Sequence, residues 1–254
     1  AIGAPASLSV KDQITDYPAG TFAGYAIENP ALLTLGALDA VRVTTYLNGI
    51  QQESKTGKGP LVSLGTDLLG GSGRQTLGFV STKVFDEVKI SFQNVATVNL
   101  GQIKVYNVVL ENFCAGPALA CNTQTALSSP TYPIYVNSER SGVDGLVCVG
   151  CTIVNQDHLI DADPTNYTEV NLVAAIGAPA SLSVKDQITD YPAGTFAGYT
   201  IENPNLLSVD AFNAIRITTY LNGVQRETKT GNGPLVAVST DLLVGTSKQT
   251  IGFV

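Results

Sequence analysis

The sequence predicts an all-β chain of tandem β-sandwich domains, Greek-key or jelly-roll-like, joined by a Pro/Ser/Thr-rich linker. Three observations carry that expectation. Charged residues make up only 14% of the chain, while Gly (25) and Pro (12) are abundant, the balance of short strands separated by turns. Several segments alternate apolar and polar residues with period two, the pattern of a strand with one wet face. Finally, residues 1–80 return at 175–254 without a gap and with about three quarters of positions identical, and residues 1–25 recur letter for letter at 175–199, the mark of tandem modules.

In chain order, SLSV (7–10) and FAGYAIE (22–28) read as the first two strands. ALLTLGALDA (31–40), with LSVDAFNA in its place in the second copy, is the one segment that reads as a short helix or helical turn. In AVRVTTYLNGIQQES, Val41, Val43, Thr45 and Leu47 alternate with Arg42, Thr44 and Tyr46. Asn48-Gly49 then interrupts, and this pair between two period-2 runs predicts a hairpin, because both residues tolerate the positive φ of a type I′ turn. Asn222-Gly223 preserves it. PLVSL, QTLGFV, EVKISFQ and QIKVYNVVLEN bring the total to about eight strands, enough for a two-sheet sandwich.

Substitutions between the copies are conservative where a core is expected: Val41 becomes Ile215, Val43 becomes Ile217 and Leu77 becomes Ile251, swaps that a packed interior tolerates. The second copy ends at Val254 with no counterpart of 81–113, and nothing resembling 140–174 precedes the first. The expected organisation is therefore a window on an array with a period of about 174 residues. Residues 1–113 are read as the C-terminal part of one sandwich repeat, 114–136 as the linker and 137–254 as the truncated N-terminal part of the next. Such a chain is expected to leave strand edges and apolar faces bare at both ends and to aggregate or exchange strands. The chain has no Met, even at position 1, which reads as a mature or excised piece.

A net charge of −7 and a pI near 4.6 offer no positive field to gather nucleic acid or anionic lipid. No apolar run is long enough to span a bilayer as a helix, so neither nucleic acid nor membrane insertion is expected. Catalytic patterns are also missing: there is no HExxH, GxSxG, P-loop or GxGxxG in context, and no Trp to line a sugar cleft. A non-enzyme is expected.

Four cysteines, Cys114, Cys121, Cys148 and Cys151, fall near the junction of the copies. Two disulfides are favoured, with the local pairing Cys114–Cys121 and Cys148–Cys151, although four cysteines allow three connectivities. A zinc site is the weaker reading, since Cys114-x6-Cys121 is wide for a knuckle. Asp161, Asp163 and Thr165, in DADPTN beside Asp157 and the single His158, offer oxygens to a calcium ion or, more simply, cap turns. No other cofactor is expected. Asn166-Tyr167-Thr168 matches a glycosylation acceptor, and Lys11, Lys89 and Lys104 on strands are candidates for isopeptide crosslinks to Asn.

A unit built of CVGCTIVNQDHLIDADPTNYTEVNL, ASLSVKDQITDYPAGTFAGY, TTYLNGVQRET and EVKISFQNVATVNLGQIKVYNVVLEN resembles the repeats of very large cell-surface adhesins of gliding Bacteroidota, over essentially the whole chain. That resemblance implies an extracellular, filament-like spacer exported by the type IX system and used in surface adhesion or gliding motility. Its partners would be adjacent repeats of the same chain and other copies in a filament. LIDADPTNYTEV and VNLGQIKVY also resemble strands of discoidin-like jelly rolls. The alternative this implies is a multivalent carbohydrate-binding module for surface polysaccharide, with Tyr17, Tyr46, Tyr132 and Tyr135 as stacking platforms.

Overall fold

Eight strands between Ala6 and Asn112 form two four-stranded antiparallel sheets. They are β1 (Ala6–Lys11), β2 (Thr21–Glu28), β3 (Val41–Leu47), β4 (Ile50–Thr56), β5 (Val62–Thr66), β6 (Arg74–Val80), β7 (Glu87–Phe92) and β8 (Lys104–Asn112). One sheet has the order β1-β7-β3-β4 and the other β5-β6-β2-β8. The computed structural model describes residues 6–29, 40–57, 62–66, 74–93, 101–143, 151–172, 179–203, 212–233, 235–238 and 248–254. The expected helix at 31–40 lies outside these, apart from Ala40.

The alternation in the sequence sets the faces. Val41, Val43, Val88 and Ile90 from one sheet meet Ala23, Tyr25, Ile27, Leu77 and Phe79 from the other in a single buried cluster. Tyr25 ties the sheets together, its hydroxyl donating to the Val88 carbonyl at 2.7 Å. Burial pushes its phenol up to about 12. Asn48 and Gly49 take φ of 50° and 78°, the turn that the Asn-Gly pair predicts. Asp86 holds this turn from the side, its Oδ2 accepting the Asn48 N–H at 3.0 Å and facing Lys11 Nζ at 3.1 Å.

Gly24 and Gly78 sit opposite each other on β2 and β6, and the Phe22 ring lies across both. A Cβ on Gly78 would stand 2.3 Å from the Ala23 carbonyl oxygen and 2.5 Å from Phe22 Cζ. The second copy repeats the arrangement with Phe196 over Gly198 and Gly252, so Phe-x-Gly facing Gly-Phe is a built feature of the module.

Past Phe113 the chain runs without regular structure as far as β9 (Ile134–Val136). It continues through β10 (Gly142–Val143), β11 (Thr152–Val154), β12 (Glu169–Asn171), β13 (Ala180–Ser181) and β14 (Val184–Asp186). The β9–β14, β10–β13 and β11–β12 pairs are antiparallel. Tyr132, Ile134, Val136 and Ile160 form a second buried cluster, against which Leu127, Leu159 and Val184 pack. The end of the segment expected as linker is thus packed. Tyr135 lies against Phe22, with Val80, Val109 and Phe113 around them. Apolar Tyr-Pro-Ile-Tyr-Val outweighs the surrounding Pro, Ser and Thr.

These elements belong to one unit, Ala1–Thr189, and Asp190–Val254 forms another. In the latter, β15 (Ala197–Glu202), β18 (Val236–Val238) and β19 (Lys248–Phe253) make a sheet of order β15-β19-β18, and β16 (Arg216–Leu221) and β17 (Val224–Thr230) a hairpin. Each strand falls on its counterpart in the first copy, including the turn at Asn222-Gly223, with φ of 51° and 78°. The register shift within each hairpin recurs as well, between Thr45 and Tyr46 in the first and between Thr218 and Tyr220 in the second. Burial does not recur. β2 is buried along nearly its whole length, whereas β15 alternates half-buried and exposed residues. In the first copy β8 pairs along the edge of β2, and β7 belongs to the sheet that faces it.

Candidate functional site

Asp161 and Asp163 end the turn that follows the 3-10 segment Gln156–Leu159. Asp161 Oδ1 accepts the Asp163 N–H at 3.0 Å, and its Oδ2 accepts Asn166 Nδ2 at 2.7 Å. Asp163 Oδ1 accepts both the Thr165 hydroxyl (2.6 Å) and the Thr165 N–H (2.9 Å). These bonds, the hydroxyl's first, hold the Asp163 carboxyl below its usual range. Thr165 therefore spends its hydroxyl on Asp163, which is the turn-capping arrangement such residues favour. Among the described residues no group of three or more His, Cys, Asp or Glu converges as metal ligands would. His158 Nδ1 lies 3.2 Å from the Tyr167 carbonyl, and the Asn166 amide of the glycosylation motif is engaged by Asp161.

Cys114 and Cys121 are free and exposed, which corrects the expected local bridge between them. The reason is geometric. Seven residues of spacing do not impose the Cα approach of about 4.4–6.8 Å that a disulfide needs, and the two sulfurs are not bonded. The segment is also laid against Tyr132, whose Cδ1 would be 2.3 Å from a Cβ on Gly116. Cys151 is disulfide-bonded; Cys148 lies outside the described residues.

The tyrosines separate into two kinds. Tyr132 and Tyr135, expected as exposed platforms, are 6% and 7% exposed and belong to cores. Burial pushes the Tyr135 phenol up to about 12. Tyr17 stacks at 5.5 Å on Phe85 and donates to Asp12 Oδ2 at 2.7 Å. A cleft of about 230 Å³ is lined by Asn112, Phe113, Cys114, Pro130, Tyr132 and Pro133, among others, where the 114–121 segment leaves the sandwich.

The expected crosslinking lysines form ion pairs or lie on strands. Lys11 pairs with Asp86, and Lys104 lies 2.5 Å from Glu28 Oε1. Tyr106 also donates to Glu28, and the Arg74 guanidinium stands 4.1 Å over the Tyr106 ring. This group of charges fastens the start of β8 to the end of β2. The Lys104 bond, then the Tyr106 bond, holds the Glu28 carboxyl below its usual range. At the other end of the sandwich, burial pushes Glu53 up, but bonds from the Ser81 hydroxyl (2.8 Å) and the Thr82 N–H (2.7 Å) outweigh it and leave the carboxyl lowered. These carboxylates brace turns and strand ends. What differs between the copies, among the described residues, is which strand edges and apolar faces are covered. Alternation within each copy gave no signal of this; comparison of the copies' flanks did.

No family model matches the chain, and neither a curated protein nor a solved structure was found to be similar to it.

Proposed function

We propose that the chain is a structural repeat segment of a long extracellular cell-surface filament or adhesin, acting as spacer or stalk in surface adhesion or gliding motility. One observation carries this reading: two copies of a module rebuild the same strands, the same Asn-Gly turn and the same Phe-over-glycine packing within one chain. A module that is copied with its turns and strand positions kept adds length and stiffness, and its carboxylates are used to hold turns rather than to meet a ligand. The resemblance to adhesins of gliding Bacteroidota supplies the expected location, at the cell surface by type IX export. The carbohydrate-binding alternative loses support from Tyr132 and Tyr135, which are buried.

Negative-stain imaging of the native assembly, with antibody against this segment on intact cells, tests the proposal. The expected result is surface labelling on a filament with regular bead spacing. Labelling only after lysis, or filaments without a period, would refute it. Binding of a single repeat to a glycan array would favour the carbohydrate reading.

A further inference from the structure

Residues 6–12 and 180–186 are the same seven residues in two settings, and the settings use opposite edges of the strand. On β1, the Asp12 N–H donates to the Asp86 carbonyl at 2.8 Å, in line with a ladder that pairs Val10 with Val88 and Leu8 with Ile90. Successive residues of a strand send their backbone groups to opposite edges. Leu8, Val10 and Asp12 therefore address β7, and Ser7, Ser9 and Lys11 address the other side. In the second copy, the Ser183 carbonyl accepts the Asn137 N–H at 2.7 Å and the Gln187 N–H donates to the Pro133 carbonyl at 2.9 Å. Between them, Lys185 pairs with Tyr135 in the β14–β9 ladder. Ser183, Lys185 and Gln187 are the counterparts of Ser9, Lys11 and Gln13. β9 thus takes the edge that β7 leaves open, and one strand has room for both.

We infer that the outer edge of β1 is a docking site for an extended inter-repeat segment of the Pro133–Asn137 type, added antiparallel in the register that β9 holds on β14. Among the described residues no strand pairs with this edge of β1. Leu8 and Val10, on the same side of the sheet as the buried Ile90 and Val88, are 53% and 47% exposed. Val184, which corresponds to Val10, packs instead against the cluster of Tyr132, Ile134, Val136 and Ile160. Transferred to β1, the same register sets Val136 opposite Val10 and Ile134 opposite Asp12, extending the apolar face across the edge. Strand addition of this kind takes its affinity from main-chain bonds and its selectivity from alternate side chains, and it covers an edge that would otherwise invite unspecific pairing.

The other face of β9 explains what such docking accomplishes. Tyr135 is seated against Phe22, Val109 and Phe113 of the first sandwich, while its strand pairs with the opening residues of the second copy. The inter-repeat segment is thereby a clamp with one face in one repeat and its backbone in the next. This deepens the spacer proposal and rests on its repeat element, not on the surface location.

The test uses the full chain, ¹⁵N-labelled, and a synthetic peptide with the sequence of Thr131–Asn137. Saturating peptide is expected to slow amide exchange at Lys11 and Gln13, whose counterparts Lys185 and Gln187 face Tyr135 and the Pro133 carbonyl, by about tenfold or more. Val10, already in the β7 ladder, should change least. A peptide carrying Ile134→Asp and Val136→Asp should leave every rate as in the free chain. Three results would overturn the inference: no slowing at Lys11 and Gln13, equal slowing by the acidic peptide, or protection of these amides in the free chain that grows with protein concentration, which would make a second copy the occupant. Failure here leaves the spacer proposal standing, since imaging of the native assembly decides that one.

Discussion

Replacing Gly78 by Ala isolates what the Phe-over-glycine packing contributes. The added methyl would stand 2.3 Å from the Ala23 carbonyl oxygen, 2.5 Å from Gly24 Cα and 2.5 Å from Phe22 Cζ. The ring can swing aside, but the first two atoms are backbone of the paired strand, so β2 and β6 must separate locally. Overpacking of this kind costs about 1–3 kcal/mol, and a weakened ladder bond adds about 1 kcal/mol. Lower chain entropy of Ala in the unfolded state returns roughly 0.4–1 kcal/mol. The expected net loss is about 2–3 kcal/mol, read by far-UV circular dichroism as a fall in the urea midpoint of about 1–2 M with unchanged slope. Gly49→Ala is the control: open space surrounds that position and φ is +78°, so only the conformational cost of about 1–2 kcal/mol applies. The parallel change Gly252→Ala, which meets Ala197 O at 2.3 Å, should move the transition of the 190–254 unit instead. A Gly78→Ala protein within 0.5 kcal/mol or so of the parent, below the overpacking range, would refute the reasoning.

Three further outcomes are expected. The Ile14 N–H, the Tyr17 hydroxyl and the Thr15 N–H bring the Asp12 carboxyl down to about 2, so its contribution is present above the unfolded value near 4 and is lost as pH falls from there toward 2; Asp12→Asn should flatten acid unfolding over that window. Tyr25 and Tyr135 are raised to about 12, so their contribution is complete below about pH 10 and is lost between there and 12; absorbance at alkaline pH should show both titrating late, and Tyr25→Phe should remove one phenol from the late phase. Maleimide should label Cys114 and Cys121 in the folded chain and Cys151 only after reduction, and a chain without reductant in which Cys114 resists labelling would contradict the free thiol described.

Much of the sandwich was legible because its determinants are local. Period-2 alternation placed Val41, Val43, Val88 and Ile90 inward, and Asn48-Gly49 fixed the hairpin whatever the surroundings. Residues 114–136 offered only their composition to read, and composition does not show that Tyr132, Ile134, Tyr135 and Val136 carry enough apolar surface to sit in cores despite Pro130 and Pro133. Likewise, cysteine spacing in sequence says nothing about whether two thiols meet in space, and Cys114 and Cys121 do not bond. The Asp161–Thr165 turn had two readings from residue types alone, and hydrogen-bond geometry places its oxygens on backbone and side-chain donors. Partners of a strand edge are the least legible of all. The stretch Ala6–Asp12 and the stretch Ala180–Asp186 are one sequence, and only tertiary placement distinguishes their neighbours.

Exact duplication also turns the molecule into its own reference sample. Each of residues 2–24 has a twin at 176–198 with identical covalent neighbours, so intrinsic exchange rates and random-coil shifts cancel within every such twin pair. Any spectroscopic difference that remains between Ser9 and Ser183, or between Phe22 and Phe196, measures through-space environment alone, with no mutant or second preparation required.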